Sequence, residues 1–294
     1  MERVTEWLSR KSVYYEERVS GGRLTTFGSG GAVRVVAFPR IGDIEETFTF
    51  LSESGVPYRV LGGGSNVLLA DEGYDGVIVR TDRLDGFCAN GSFVTVGAGV
   101  RLPLFSRKCG ALSLSGAEFA EGIPGTVGGA VFMNASAYGS GISDILASVR
   151  ILYEGQVSEI PASALTMTYH RGGLPVGAVL LSATFRLTAG DRGRIAERMR
   201  SLAERRAATQ PRERSAGSVF ARVGDTPAAL YIEETELKGS RVGGAELSPK
   251  HCNFIVDRGG ATTTDYFLLA ERVRREVERR SGVTLAYEVE YVGC

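Results

Sequence analysis

The run Leu61-Gly62-Gly63-Gly64-Ser65-Asn66-Val67-Leu68-Leu69 limits the possible folds more than any other stretch of the chain. Apolar residues on either side predict two short strands, 58–61 and 67–69, with the glycines as their connection. Successive glycines remove every Cβ, so backbone N–H groups can approach a ligand closely. Ser65 and Asn66 add side-chain donors. A concavity lined by N–H groups suits a pyrophosphate, and a plain tight turn is the competing reading. The pattern is not GxGxxG leading into a long helix, which argues against a Rossmann site.

A second glycine-rich segment, GAEFAEGIPGTVGGAVFMNA, occupies residues 116–135. Gly122-Ile123-Pro124-Gly125 predicts a rigid turn, with proline fixing one φ and the glycines opening others. Thr126 is placed to cap a short helix over 127–133, leaving N–H groups available at its start. Gly128 and Gly129 let that helix pack closely against a neighbour or a ring. A helix start without a ligand does not explain so much bare backbone on both sides of one short helix.

Charge and composition narrow the partners. Lys+Arg and Asp+Glu balance at 34 each among 294 residues. That balance excludes a general polyanion binder, so no nucleic-acid partner is expected. Almost all the positive charge is arginine; the lysines are Lys11, Lys108, Lys238 and Lys250. Cys88, Cys109, Cys252 and Cys294 form neither a CxxC pair nor a zinc framework, and with only His170 and His251 no metal site is expected. Idle thiols in a reducing compartment are the simpler reading. The first twenty residues are charged and lack an apolar centre, and no apolar run is long enough to span a bilayer. No membrane association and a cytoplasmic location are the expectation.

The remaining pattern predicts mixed structure. Asp43 is placed to cap a helix over 44–54 that stops at Gly55. Strands are expected at 76–80, 93–96, 149–153 and 179–187. A helix over 102–111 would be broken early by Pro103. Asp191 opens a charged helix running to about 208, before Gln210-Pro211. Beyond it come a strand at 219–222, a helix at 228–237 and a strand at 253–256. A long amphipathic helix then covers 265–281, Gly282 stops it, and a strand spans 285–292. This alternation predicts an α+β or α/β protein in several pieces. The expected divisions are 1–80, 81–208 and 209–294.

The glycine segments carry a specific resemblance. LGGGSNVLL and GxEFAxGIPGTVGGAVFMNA, in this order, resemble the flavin-binding half of the UDP-N-acetylenolpyruvoylglucosamine reductase (MurB) family, as does Thr25-Thr26-Phe27 followed by Gly30-Gly31. Ser215-Ala216-Gly217-Ser218-Val219-Phe220, Leu237-Lys238-Gly239, Gly243-Gly244-Ala245, Lys250-His251-Cys252-Asn253-Phe254 and Leu285-Ala286-Tyr287-Glu288-Val289 resemble the family's later elements in order. The resemblance covers roughly residues 22–294 and fits the shorter class of the family, which lacks a tyrosine-loop insertion. It implies an α+β fold: a two-part FAD-binding domain of the vanillyl-alcohol oxidase/p-cresol methylhydroxylase type, and a C-terminal α/β substrate domain.

The resemblance also implies the chemistry. FAD is the expected cofactor, NADPH the co-substrate and UDP-N-acetylglucosamine enolpyruvate the substrate, in peptidoglycan precursor synthesis by a monomer. Gly62, Gly63, Gly64, Ser65 and Asn66 would hold the pyrophosphate. Gly122, Ile123, Pro124, Gly125, Thr126, Gly128 and Gly129 would line the isoalloxazine and ribityl region. Hydride reaches the terminal carbon of an enolpyruvyl ether, and negative charge builds on the adjacent carbon and its carboxylate. The site must stabilise that enolate and deliver one proton. Ser218 matches the family's proton donor. Glu288 matches the carboxyl group facing the substrate carboxylate, where burial beside a second carboxylate favours its protonated form. Period-two alternation puts Glu288 and Glu290 on one face, so pattern alone does not separate them. Lys238, Arg241 and Lys250 are candidates for the phosphates, with solvated surface charge as the alternative for Arg241. Asn253 is expected to contact the nucleotide-sugar and Tyr138 to line the same cleft; a core tyrosine competes for the latter. His251 reads as structural.

One segment departs from the family pattern Tyr-Arg-x-Ser, whose arginine helps hold the enolate. Here the chain reads Thr168-Tyr169-His170-Arg171-Gly172-Gly173. Arg171 comes one residue late, and on a strand such a shift reverses the face. A bulge at the glycines would restore it; a protonated His170 is the rival cation. A catalytically altered flavin- or nucleotide-sugar-binding paralogue is the alternative function that this departure allows.

Overall fold

A computed structural model describes residues 1–293; Cys294 lies outside the described residues. The chain forms two compact units. The first comprises Met1–Glu16, Val35–Gly63 and Gly76–Arg206, the second Glu17–Arg34, Gly64–Asp75 and Ala207–Cys294.

In the first unit a five-stranded antiparallel sheet runs in the order Gln156–Pro161, Leu146–Tyr153, Val179–Arg186, Phe93–Gly97, Phe87–Asn90. Val149, Ile151, Leu180 and Ala183 turn inward from it into a continuous apolar core. The helix Leu102–Ala111 buries Leu102, Phe105 and Cys109 in the same core. Phe105 meets Phe185 with ring centroids 4.6 Å apart. Pro103 does not break this helix. It stands in the first turn, where a missing N–H costs nothing because no intrahelical acceptor exists for it. The strand Tyr58–Leu61 pairs in parallel with Tyr74–Arg80, Leu61 opposite Arg80. The helix Ile44–Ser54 follows Asp43 and ends at Gly55 with φ 67. The Asp43 carboxylate caps backwards, however, accepting from Arg40 N at 3.1 Å.

The second unit has a four-stranded antiparallel sheet in the order Ser215–Ser218, Phe254–Asp257, Ala245–Leu247, Arg241–Val242. The helix Thr263–Ser281 lies against it, burying Tyr266, Leu269, Ala270, Val273 and Val277. That spacing is one apolar stripe of an amphipathic helix, and each fully buried aliphatic side chain contributes about 1.5–3 kcal/mol. Thr262 and Asp265 form a reciprocal capping box at its start. Asp71 adds a second cap, accepting from Thr263 N and Thr264 N at 2.8 Å each. Glu290–Val292 pairs in parallel with Val67–Leu69.

Two expected strands form differently. The one predicted over 219–222 lies earlier, at Ser215–Ser218, with a register shift against Phe254–Asp257. The one predicted over 285–292 shrinks to Glu290–Val292, preceded by a single bridge between Phe220 and Tyr287. Over 219–222 and 285–289 the backbone pairs through isolated bonds, such as Glu288 N to Val219 O and Ala221 N to Ala286 O, and a ladder forms only at Glu290–Val292. Among the described residues no helix is long and apolar enough to cross a membrane.

Candidate active site

In the first unit the two glycine segments come into contact. A Cβ at Gly62 would lie 2.4 Å from Thr126 Oγ1, and one at Gly63 would lie 2.6 Å from Gly125 Cα. A Cβ at Gly128 would be 3.0 Å from Ala98. The Thr126 side chain caps Val127–Phe132, accepting from Gly129 N at 3.4 Å. Gly125 and Thr126 are buried, and their N–H groups donate to no acceptor among the described residues. A buried orphan donor needs a partner. The bare backbone and its free donors therefore fit the pyrophosphate-bearing end of a flavin dinucleotide. Tyr138 has φ 57 and lies under two arginines, with Arg205 4.9 Å and Arg206 5.9 Å from its ring centre. It lines a cleft of about 550 Å³ with Phe119, Arg194 and Arg198.

The Thr168–Gly173 segment is also in this unit, and it is a tight turn, neither a strand nor a bulge. Thr168 N donates to Arg171 O at 2.9 Å, and Arg171 N returns a bond to Thr168 O at 3.1 Å. Tyr169 and His170 form the tip, with rings 4.0 Å apart, and His170 adopts φ 56. His170 and Arg171 are thus adjacent on one closed turn.

In the second unit Ser218 ends its strand after Gly217 (φ 80), and the Ser218 hydroxyl donates to no protein group among the described residues. Glu288 N bonds to Val219 O at 2.9 Å, which puts the glutamate beside the serine segment. Asn66 braces the other side, its Nδ2 donating to Glu288 O at 2.9 Å and its carbonyl accepting from Glu290 N at 2.9 Å. Glu288 is half-buried and Glu290 exposed, so the bend between them separates two residues that alternation alone left equivalent. Ser65 runs alongside, its carbonyl 3.7 Å from where a Gly217 Cβ would stand. Gly64, with φ 64, accepts from Thr26 N at 3.0 Å.

Asn253 is buried, and its amide acts on the backbone of Phe220. Oδ1 accepts from Phe220 N at 3.0 Å and Nδ2 donates to Phe220 O at 2.8 Å. The second Asn253 Nδ2 hydrogen donates to no acceptor among the described residues. His251 Nδ1 accepts from Asn253 N at 3.3 Å, which fits its structural reading, and burial pulls its pKa down. Lys238 pairs with Glu233, Arg241 with Glu246, and Lys250 Nζ reaches Ala207 O at 2.5 Å. Glu246 is buried between Arg241 and Arg258, and the Arg258 hydrogen bond first, then Arg241, holds its carboxyl below the usual range. Burial pushes the Cys109 and Cys252 thiols up to about 12, leaving them inert.

Three neighbours of the candidate residues were not singled out from sequence: Arg205 and Arg206 over Tyr138, and Asn134, which bonds Thr168. Asn134 follows the capped helix with φ 43, a conformation that asparagine tolerates better than other side chains. An asparagine just past a short helix was the only signal available.

Residues 33–158 match the FAD binding domain family, and residues 210–292 match the C-terminal domain family of UDP-N-acetylenolpyruvoylglucosamine reductase. The protein is an FAD-dependent oxidoreductase of α+β architecture. A UDP-N-acetylenolpyruvoylglucosamine reductase of Geobacter metallireducens is 39% identical over 277 residues, covering 92% of this chain and 91% of the relative. One of Streptococcus thermophilus is 40% identical over 275 residues, covering 92% and 90%. The crystal structure of the enzyme from Thermus caldophilus superposes with a TM-score of 0.82 at 32% identity, covering 95% of this chain and 98% of that one. The chain belongs to the UDP-N-acetylenolpyruvoylglucosamine reductase family.

Proposed function

We propose that the protein reduces UDP-N-acetylglucosamine enolpyruvate to UDP-N-acetylmuramate with electrons from NADPH, as a cytoplasmic monomer. Cell-wall biogenesis, cell shape and division would depend on the product. Residues 1–80 and 81–208 are assigned to flavin binding and 209–294 to substrate binding. The observation that carries this reading is the pairing of Glu288 N with Val219 O at 2.9 Å, which sets the family's acid and its carboxyl partner on adjacent backbone.

The bound flavin supplies two-electron chemistry, coupling NADPH oxidation to hydride addition at the terminal enolpyruvyl carbon. Gly62, Gly63, Gly64, Ser65 and Asn66 would hold its pyrophosphate, and Gly122, Ile123, Pro124, Gly125, Thr126, Gly128 and Gly129 would line its isoalloxazine and ribityl region. Ser218 delivers a proton to the carbon beside the carboxylate, its hydroxyl free of competing protein acceptors. Glu288 donates to the substrate carboxylate and favours the enolate form. Arg171 or His170 supplies the cation. Lys238, Lys250 and the spare N–H of Asn253 are assigned to the nucleotide-sugar, the lysines by exchanging their present partners for phosphate oxygens.

NADPH oxidation by the FAD-loaded protein, with and without the enolpyruvyl substrate, tests this. Substrate-dependent oxidation is expected. Oxidation indifferent to the substrate would overturn the reading. Bound FAD with no oxidation at all would identify an altered paralogue.

A further inference from the structure

We propose that Asn134 is a positioning residue for the reduction step, fixing the turn that presents His170 and Arg171. The inference rests on the reaction proposed above. Asn134 lies one residue beyond the C-cap Met133 of the helix Val127–Phe132, whose start carries the flavin-facing Thr126. Its side chain is used at both ends. Nδ2 donates to Thr168 O at 3.0 Å, and Oδ1 accepts from Ser143 N at 3.1 Å.

Thr168 O is the acceptor that closes the turn, since it also receives Arg171 N at 3.1 Å. A carbonyl has two lone pairs, so the bonds do not compete. The turn can therefore close without Asn134, but its orientation relative to the helix cannot be fixed by closure alone. A neighbouring tether is Gly172 N to Phe132 O at 2.8 Å, at a glycine where a Cβ would stand 2.0 Å from Val131 O. The Asn134 bond at Thr168 adds a tether at the other end of the turn and opposes its rotation. Two left-handed residues that are not glycine, Asn134 (φ 43) and His170 (φ 56), lie at the ends of this linkage. Such conformations persist where the surroundings enforce them and cluster where side-chain aim matters. An enolate-stabilising cation is such a case, because a displacement of about 1 Å costs about 100-fold in rate.

Asn134→Asp keeps an acceptor for Ser143 N and tolerates the left-handed backbone, but lacks the donor to Thr168 O. Asn134→Gly relieves the backbone and removes both bonds. Stopped-flow measurement on the FAD-loaded protein separates bleaching of the flavin by NADPH from its reoxidation by UDP-N-acetylglucosamine enolpyruvate. Both variants are expected to bleach at the wild-type rate and to reoxidise about 10- to 100-fold more slowly. The Tm should remain unchanged. With only two histidines in the chain, imidazole NMR signals are assignable, and the His170 signal should shift while that of His251 stays. Wild-type reoxidation in both variants, or a fall in both half-reactions together with Tm, overturns the proposal. A wild-type flavin that the substrate leaves reduced overturns the reaction itself, and is distinguished by appearing before any substitution.

Discussion

Backbone bonds set the surroundings of Ser218 more than side chains do. Val219 accepts from Glu288 N, and Phe220 is held at both its N–H and its carbonyl by Asn253. Ser218→Ala should leave bleaching by NADPH intact and lower turnover at least about 100-fold, with Tm nearly unchanged, as steady-state and single-turnover assays would show. Gly63→Ala acts differently. The new Cβ meets Gly125 Cα at 2.6 Å, and neither backbone can swing aside. A loss of about 1–3 kcal/mol in stability and weaker retention of flavin absorbance through gel filtration are expected. At this scale the sequence singled out the glycines and Ser218 by type, and the structure shows what surrounds each of them. It could not show that the Asn253 amide is turned mainly onto backbone, since a buried asparagine and a ligand-binding one look alike in sequence.

Helix stops were the most legible elements because their signals are local. The helix Ile44–Ser54 and its Gly55 stop, and the Gly282 stop of Thr263–Ser281, follow from neighbours in sequence. The Asp71 cap does not, because its partners are far along the chain. Two backbone N–H groups and the Thr264 hydroxyl, 2.6 Å away, converge on that carboxylate. Burial alone would raise its pKa; the Thr264 and Thr263 hydrogen bonds outweigh it and the pKa is lowered. Asp71→Ala should lower the unfolding free energy by about 1–2 kcal/mol in urea titration. A depressed folded-state pKa means that the unfolded state binds the proton more tightly. The contribution is then full above the unfolded value of about 4 and is lost as pH falls through the lower folded value. Glu246, also depressed, adds to the same acid-side loss, so stability should fall below about pH 4 and Asp71→Ala should lessen that slope. The strands expected at 219–222 and 285–292 went astray for the opposite reason. Their apolar content was clear, but pairing partners are chosen by non-local backbone that no short window contains.

For the whole molecule, ligand linkage gives the clearest expectation. FAD that binds the native state alone should raise the unfolding free energy by about 2.7 kcal/mol at a hundredfold excess over Kd, seen as a rise in Tm. NADPH without FAD should not be oxidised. The sequence by itself determined the cofactor class and most of the order of elements, because glycine runs, caps and apolar periodicity act on near neighbours. The tertiary structure decided which segments share a core, so that Glu17–Arg34 and Gly64–Asp75 join Ala207–Cys294. It also decided that Glu288 and not Glu290 is half-buried, and that the displaced arginine belongs to a closed turn. Each of those outcomes depends on hydrogen bonds and packing between residues far apart in the chain, which local pattern cannot specify.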